Sequence, residues 1–236
     1  MILVKVPAIN GLGKTKGCEK APDLLCKKHK ECKEIKVDNE NIEEMQESIY
    51  NRAKGFFKGD KNVFFLGGDH SISYPIIKAF SESSKRKKCL VVFDAHADCM
   101  KPMKEPTHEE WLRAAIEEKL IDKIFLIGLR KIEPEEKKFL DRIKEARIVS
   151  KNEKINLPTD HDLYLSIDID VFNPEIAPGT GYKEKGGLNE KEFFCLLREL
   201  KSFKNLKAGD LVEINLEKDI NDKTIKLGKR IVKELE

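Results

Sequence analysis

The sequence predicts an α/β fold of three layers, in which helices cover both faces of a mainly parallel sheet of about eight strands. Short runs rich in Val, Ile, Leu and Phe have the length of strands and are bounded by polar segments. Lysine- and glutamate-rich segments with helical spacing lie between most of these runs, an alternation that implies right-handed crossovers and parallel pairing. Several runs, such as Val-Phe-Phe-Leu at 63–66, are apolar throughout, as is expected of strands buried on both faces.

In chain order, the predicted strands are 2–6, 34–37, 63–66, 90–93, 124–127, 147–149, 163–167 and 211–214. The clearest predicted helix is 41–57, where Ile42, Met45, Ile49 and Ala53 recur at steps of three and four. Further helices are predicted at 111–120, 190–200 and 224–235. Because the sequence has no internal repeat, low-complexity segment or long linker, residues 1–236 are predicted to form a single domain.

Composition excludes several classes of protein. With 236 residues, 40% of them hydrophobic, the chain is long enough to bury a sizeable core. Its 45 Lys and Arg nearly balance 42 Asp and Glu, unlike the segregated basic excess of a protein that binds nucleic acid. No apolar run approaches the roughly 18 residues that span a membrane. The apolar stretch at the N-terminus is too short, and is followed too soon by polar residues, to be a signal peptide. We therefore expect a cytoplasmic protein without nucleic-acid or membrane partners.

One group of cysteines has a spacing that could bind zinc. Cys26, His29 and Cys32 form a C-x2-H-x2-C pattern, with Cys18 upstream. The spacing matches no common zinc motif, and the segment looks like a lysine-rich helix that follows Ala21-Pro22. We therefore expect free thiols in a reducing compartment, with a structural zinc site as the alternative.

Four predicted strands run directly into polar residues. The segments that follow them are Gly-Gly-Asp-His-Ser at 67–71, Asp-Ala-His-Ala-Asp at 94–98, Asp-Ile-Asp at 168–170, and Glu213. Ligands of open α/β sheets bind outside the carboxyl ends of the strands, where such segments meet although they are far apart in the sequence. The pattern predicts one polar site at this edge of the sheet.

The spacing of these polar residues predicts a metal site. Asp94, His96 and Asp98 stand at alternate positions, which an extended backbone places on one face, and Asp168 and Asp170 repeat the arrangement. A single Asp or His at a strand end is more often a cap or turn residue. Clustered buried carboxylates, however, repel one another unless a cation neutralises them. Four aspartates balance two divalent ions, and oxygen ligands without thiolates favour an ion such as Mn²⁺.

Three of these segments resemble the signatures of a known family. GGDHS at 67–71, DAHAD at 94–98 and SIDIDVFNPEIAPGTG at 166–181 are similar to those of the arginase/agmatinase (ureohydrolase) family. The likeness extends to 11–25, 127–130 and 212–215. The resemblance implies an arginase-like three-layer fold with an eight-stranded parallel sheet, two Mn²⁺ ions per subunit, and a homo-oligomer, commonly a trimer or hexamer.

The resemblance also implies a ligand set. One manganese would be held by His70, Asp94, Asp98 and Asp168, and the other by His96, Asp94, Asp168 and Asp170. Asp94 and Asp168 would bridge the two ions. Family members hydrolyse a guanidino group to urea and an amine, or cleave the related formimino group, with a hydroxide that a two-metal site generates at neutral pH.

Three further residues receive roles from the resemblance. Asp98 would hydrogen-bond the hydroxide and pass its proton to the leaving amine, and Glu213 would grip the guanidinium. His108, twelve residues after His96, matches a histidine that lines the active site of agmatinase-like members and carries protons. The alternative for His108 is a surface histidine near the start of a helix.

The sequence departs from the family where substrates are distinguished. Tyr-Lys-Glu-Lys at 182–185 replaces the usual prolines, and 213–219 lacks the usual Asn-Pro. Met100 stands where arginases place an asparagine that binds the amino acid carboxylate, which favours a substrate without that group, such as agmatine. Glu133 could receive a distal ammonium, or it could be a solvated acid at a helix start.

We therefore predict a binuclear manganese hydrolase that cleaves a C–N bond of a small guanidino substrate to give urea and an amine, agmatinase-like. The alternatives within hydrolases are an arginase and a formimino- or amidino-hydrolase that acts on another small amine. An alternative of another class is a metal-binding subunit without catalysis, which the altered segments 179–187 and 213–219 keep open.

Overall fold

The core of the protein is one sheet of eight strands whose described pairings are all parallel. The computed structural model describes residues 1–27, 29, 31–59, 61–150, 153 and 155–236. The strands are β1 Ile2–Val6, β2 Lys33–Glu34, β3 Val63–Gly67, β4 Lys87–Phe93, β5 Lys123–Ile127, β6 Ala146–Val149, β7 His161–Asp168 and β8 Leu206–Val212. Their order across the sheet is β2-β1-β3-β8-β7-β4-β5-β6, so β8 lies between β3 and β7.

Helices cover both faces of this sheet. They are α1 Ala21–Cys26, α2 Ile42–Phe56, α3 Ser73–Ser81, α4 Trp111–Glu117, α5 Pro134–Leu140, α6 Glu190–Lys201 and α7 Lys223–Leu235. Buried side chains of α1, α6 and α7 form one hydrophobic cluster with the sheet, and those of α2 to α5 form a second. Neighbouring strand residues alternate between the clusters; Phe64 belongs to the first and Phe65 to the second. The predicted three-layer α/β/α fold is confirmed.

The uninterrupted apolar runs are the strands with the deepest burial. Every residue of β3 and of β7 is buried, as strands with helices on both faces require. β8 begins at Leu206, five residues before the predicted start, because Lys207, Gly209 and Asp210 interrupt its apolar pattern. Gly209 lies so close to β7 that a Cβ there would be 2.4 Å from the Leu165 carbonyl oxygen, so this position needs glycine.

Other elements differ from the prediction at the edges of the fold. The run predicted as strand 34–37 pairs only over β2, at the edge of the sheet. The short helix α3 was not predicted, whereas α1 follows the predicted helix start at Ala21-Pro22 and α5 begins after Glu133, the acid assigned in one interpretation to a helix start. No helix among the described residues is both long and apolar enough to cross a bilayer.

The cysteines near α1 correct one expectation. Cys26 ends α1 and forms a disulfide with Cys32, with the two Cα atoms 6.0 Å apart. The expectation of free thiols is therefore wrong for this pair, because Cys32 lies beside the end of α1. The helix predicted for this segment does not continue beyond Cys26, and Lys28 and Lys30 lie outside the described residues. Cys18, Cys89, Cys99 and Cys195 are free.

Candidate metal centre and substrate pocket

The loop that carries His70 is fixed to the N-terminal segment of the chain. His70 begins a 3-10 turn directly after β3, and Asp69 caps this turn by accepting the Ser71 N–H at 3.1 Å. The other carboxylate oxygen of Asp69 accepts the Asn10 N–H and the Thr15 hydroxyl, both at 2.7 Å. Asp69 is fully buried, and sequence reasoning gave it no role. The hydrogen bonds of Asp69 therefore restrict the movement of the loop that carries His70.

Short hydrogen bonds hold the aspartates that follow β4 and β7. One oxygen of Asp94 accepts the His96 N–H at 2.6 Å, and one oxygen of Asp168 accepts the Asp170 N–H at 2.7 Å. Asp170 in turn accepts the Ala95 N–H at 3.0 Å, which ties the two segments together. Each aspartate keeps a second oxygen free of these backbone bonds.

Polar atoms converge around the Nδ1 atom of His70. This nitrogen lies 3.1 Å from Asp94 Oδ2, 3.1 Å from Asp98 Oδ2 and 3.3 Å from Asp168 Oδ2. Although these distances are short, His70 Nδ1 and Asp94 Oδ2 are buried without a hydrogen-bond partner among the described residues. Atoms that are close but not aligned for hydrogen bonding suit a shared central cation. The residues present therefore fit a metal ion at this position.

A second group of ligand atoms adjoins the first. His96 Nδ1 lies 2.7 Å from Asp170 Oδ2 and 3.7 Å from Asp94 Oδ1. Asp94, His96 and Asp170 form one candidate metal group, and His70, Asp94 and Asp168 form the other. Asp94 contributes to both, so its carboxylate could bridge two ions. The structure thus brings together all six predicted ligands, while bridging by Asp168 stays a prediction.

The electrostatics of the cluster favour a bound cation. Burial and the charges of Asp98 and Asp170 raise the pKa of Asp94 well above its usual value. Burial lowers the pKa of His96, but the hydrogen bond with Asp170 and the nearby carboxylates outweigh it and raise that pKa to about 10. Metal ions replace such protons when they bind, because imidazole and carboxylate coordinate in their deprotonated forms.

A chain of hydrogen bonds behind the cluster orients the His70 ring. His70 Nε2 lies 2.9 Å from the Ser166 hydroxyl, which donates to Asp210 Oδ1 at 2.6 Å. Tyr164 and Ser73 donate to the other Asp210 oxygen at 2.6 and 2.8 Å. Since the Ser166 hydrogen is used by Asp210, His70 donates from Nε2, so Nδ1 is the nitrogen that faces the aspartates and would bind a metal ion once deprotonated. In the sequence, Asp210 was marked only as a polar residue that interrupts the apolar pattern of β8.

Trp111 holds Asp98, a contact that sequence reasoning missed. Its Nε1–H donates to Asp98 Oδ2 at 2.7 Å, and its ring lies 4.5 Å from the His70 ring. Asp98 itself has a backbone φ of 47°, a left-handed conformation that is strained for aspartate. Trp111 at the start of α4 therefore fixes the carboxylate for which the family resemblance implies proton transfer.

We expect Trp111→Phe to lower the affinity of the cluster for a divalent metal ion by roughly tenfold, since it removes the hydrogen bond to Asp98 but keeps an aromatic ring beside His70. Titration of the variant with divalent ions measures this. An unchanged affinity would show that Asp98 does not depend on Trp111.

A cavity of about 230 Å³ opens onto this cluster. Among the predicted residues, its walls include Glu213, His108 and Glu133, together with His96, Asp98, Asp168 and Asp170. The remaining lining residues are Met100, Glu109, Lys131, Glu136, Thr180, Tyr182 and Glu184. Of these, sequence reasoning had singled out Met100, Tyr182 and Glu184 as departures from the family.

Glu213 lies at the deep end of the cavity. It follows β8 in a left-handed conformation, with φ 65°, and is 5% exposed. One oxygen accepts the His70 N–H at 3.0 Å, and the other lies 3.6 Å from the Cys18 thiol, which donates to it. Burial, followed by the charges of Asp168 and Asp69, raises the pKa of the Glu213 carboxyl well above its usual value. A cation bound against Glu213 would offset this cost.

His108 and Glu133 differ in how they are held. His108 is 6% exposed, and neither ring nitrogen has a hydrogen-bond partner among the described residues. The alternative of a surface histidine is therefore wrong. Glu133 caps the start of α5, and its carboxylate lies 3.0 Å from Lys131 Nζ. It is therefore an acid at a helix start, the alternative to an ammonium-binding residue, although it also lines the cavity.

Comparison with known proteins identifies the family. The sequence model of the arginase family matches residues 8–235, nearly the whole chain. This protein belongs to the arginase family. The agmatinase of Bacillus subtilis (strain 168) is 32% identical over 205 residues, which cover 82% of this chain and 67% of that protein. The resemblance stated from the three motifs is confirmed.

Two further comparisons place this arginase-family chain. The mitochondrial arginase of Medicago truncatula is 31% identical over 182 residues, covering 72% of this chain and 53% of that protein. The chain thus spans about half the length of the curated plant arginases it matches. The crystal structure of formimidoylglutamase from Bacillus subtilis superposes with a TM-score of 0.86 at 20% identity, covering 99% of this chain and 85% of that one. This likeness shows the shared fold.

Proposed function

We propose that this arginase-family protein is a hydrolase with two manganese ions, which cleaves a C–N bond of a guanidino compound to give urea and an amine. The observation that carries the proposal is the convergence of His70 Nδ1 with oxygens of Asp94, Asp98 and Asp168 beside the buried carboxylate of Glu213. A cation-binding cluster next to an anionic wall suits hydrolysis of a planar cation.

The two candidate groups that share Asp94 support two divalent ions, one with His70 and one with His96. The four aspartate charges match two such ions, and their oxygen atoms suit Mn²⁺. When bound, a pair of divalent ions lowers the pKa of water to near neutrality and stabilises the negative charge that develops in the reaction.

The chain's own residues divide the remaining tasks. Glu213 keeps lone pairs beyond those used by His70 and Cys18, and it binds the guanidinium by paired hydrogen bonds. Asp98, held by Trp111, takes up a proton and transfers it to the nitrogen of the leaving amine. His108 lines the cavity, and neither of its ring nitrogens is hydrogen-bonded to a described residue, so it carries protons between this nitrogen and solvent.

The lining of the cavity favours a substrate without a carboxylate. Among the described lining residues, Lys131 is the only lysine or arginine, and it pairs with Glu133. Met100 offers no hydrogen bond to an anion, and four glutamates besides Glu213 would repel one. The proposal therefore places agmatine before arginine, and before formimino or amidino compounds that carry a carboxylate.

The test is urea release by the Mn²⁺-loaded protein with agmatine, arginine, guanidinobutyrate and formiminoglutamate, the last also assayed for formamide. We expect turnover of agmatine above the others, and its loss in Asp98→Asn. Preferred turnover of arginine would contradict the interpretation of Met100. No turnover by protein that has bound its metal would favour the non-catalytic subunit. The single domain over 1–236, the cytoplasmic location and the homo-oligomer stay predictions.

A further inference from the structure

Four glutamates line the cavity beyond the metal cluster and Glu213, and three of them have partners. Glu109 accepts hydrogen bonds from Lys14 at 3.2 Å and from the Tyr182 hydroxyl at 3.3 Å. Glu136 accepts the Cys99 N–H and the Glu133 N–H, both at 2.8 Å. These carboxylates are already used within the protein.

Glu133 is also neutralised locally. Its carboxylate caps α5 and pairs with Lys131 at 3.0 Å. A substrate cation that approached Glu133 would therefore compete with a covalently tethered ammonium group. The prediction that Glu133 receives a distal ammonium loses support for this reason.

Glu184 is the fourth glutamate. Within the described ranges, no lysine or arginine side chain lies within ion-pair distance of its carboxylate. The His96 ring lies beside it, with Nε2 3.9 Å from Glu184 Oε1, too far for a hydrogen bond, and the Lys131 charge acts on it only from beyond ion-pair distance. The side chain is 35% exposed, so the carboxylate faces both the cavity and solvent.

The backbone around Glu184 is fixed against the sheet edge. Arg130 donates to the Glu184 carbonyl at 3.1 Å while it also binds the Asp170 and Val171 carbonyls. Gly187 lies so close to Phe172 that a Cβ there would be 2.4 Å from its carbonyl carbon, which leaves room only for glycine. The carboxylate of Glu184 is thus presented from an anchored turn.

A second feature indicates that a polar ligand enters this cavity. The His108 side chain is 8% exposed and lines the cavity. Neither ring nitrogen has a hydrogen-bond partner in the described part of the chain, and Glu109 Oε1, at 3.6 Å from Nε2, is too far to be one. Buried nitrogens without partners are costly unless a ligand or water satisfies them. The cavity therefore offers a carboxylate at its deep end, Glu213, unpartnered nitrogens in its wall, and a second carboxylate at its exposed side, Glu184.

We propose that Glu184 binds a second positive charge on the substrate, so that the substrate is an alkylguanidine with a distal ammonium group. This inference rests on the proposed function in placing the guanidinium at Glu213. Glu184 belongs to the segment 182–185 that replaces the prolines of the family signature, and its carboxylate is the group of this segment that distinguishes dications from monocations.

The test compares agmatine with 1-butylguanidine, which has the same carbon chain without the ammonium group. In the metal-loaded protein, Glu184→Gln is expected to raise KM for agmatine by roughly tenfold, with kcat and the butylguanidine KM nearly unchanged. Calorimetric binding of 1,4-diaminobutane and 1-aminobutane, which do not react, gives a readout that needs no turnover. Wild type should prefer the diamine, and Glu184→Gln should remove the preference.

The controls separate this inference from other roles of Glu184. Glu190→Gln removes one charge from the outer end of α6 and should leave both ligand pairs unaffected. An equal loss of kcat on both substrates, or weaker Mn²⁺ binding, would mean that Glu184 acts through His96 and would overturn the proposal. Loss of the diamine preference in Glu133→Gln instead would assign the subsite to Glu133. If wild type turned over neither substrate, the proposed function would fail, while diamine binding would still decide the role of Glu184.

Discussion

Replacing Glu213 by glutamine is expected to lower kcat/KM on agmatine by roughly a hundredfold or more, because truncating one partner of a buried charge pair costs several kcal/mol. The amide oxygen can still accept the His70 N–H, so the loop that carries the metal ligand should keep its position. The amide nitrogen, in contrast, would face the guanidinium donors. At 5% exposure, little water is available to compensate. Steady-state kinetics and metal analysis of the purified variant measure both effects.

Glu217→Gln is the matched control for this variant. Glu217 lies four residues further along the chain, is exposed, and pairs with Lys20 on the surface, where an ion pair contributes little. Its removal should leave kinetics unchanged. Turnover within a few-fold of wild type in Glu213→Gln would show that Glu213 does not hold the guanidinium. Loss of Mn²⁺ from Glu213→Gln would show that Glu213 supports the metal centre.

Saturating Mn²⁺ at both proposed sites is expected to raise the melting temperature by about 10–20 °C over protein treated with a chelator. A ligand at one hundred times its Kd adds about 2.7 kcal/mol of stability per site, and each kcal/mol shifts Tm by roughly 2–4 °C for a chain of this length. In the metal-free protein, folding brings the buried carboxylates of Asp94 and Asp168 together, where they repel each other. A bound cation relieves this repulsion and therefore stabilises the folded state. Differential scanning calorimetry measures the shift.

Asp94→Asn should abolish most of this stabilisation, because Asp94 belongs to both candidate metal groups. Asp141→Asn, an exposed change at the end of α5, should keep the full shift. If Mn²⁺ stabilised the Asp94 variant as much as wild type, the ions would bind elsewhere and the assignment of the centre would be wrong.

The sequence allowed the sheet and its functional edge to be predicted because both depend on local patterns. Apolar runs such as 63–66 mark buried strands, and the residues that follow them share one edge by topology alone. Asp94, His96 and Asp98 converge with Asp168 and Asp170 as predicted. The predicted reason, an extended backbone, is wrong, because Asp170 lies in the 3-10 turn Ile169–Val171 and Asp98 has a left-handed φ of 47°.

The contacts that support the site could not be predicted, because they join residues distant in sequence. Cys18 donates to Glu213 across 195 positions, and Ser166 reaches Asp210 across 44. The surroundings of Glu133 and Glu184 likewise depend on tertiary packing. Glu133 pairs with Lys131, whereas an anchored turn holds Glu184 beside His96 and, among the described residues, beyond ion-pair distance of any lysine or arginine. Neither the composition nor the spacing of residues predicts such pairings.

The position of β8 in the sheet bears on the order in which the two metal groups can form. β4 and β7 are direct neighbours, so Asp94, His96 and Asp170 can assemble as soon as these two strands pair. His70 follows β3, which joins β7 only through β8, the strand formed latest along the chain. If both candidate groups bind ions as proposed, the group around His96 would be able to bind one first during synthesis and folding, while the group around His70 would have to wait for long-range closure of the sheet. A metal ion bound by the group around His70 would then indicate that all the strands of the sheet have paired.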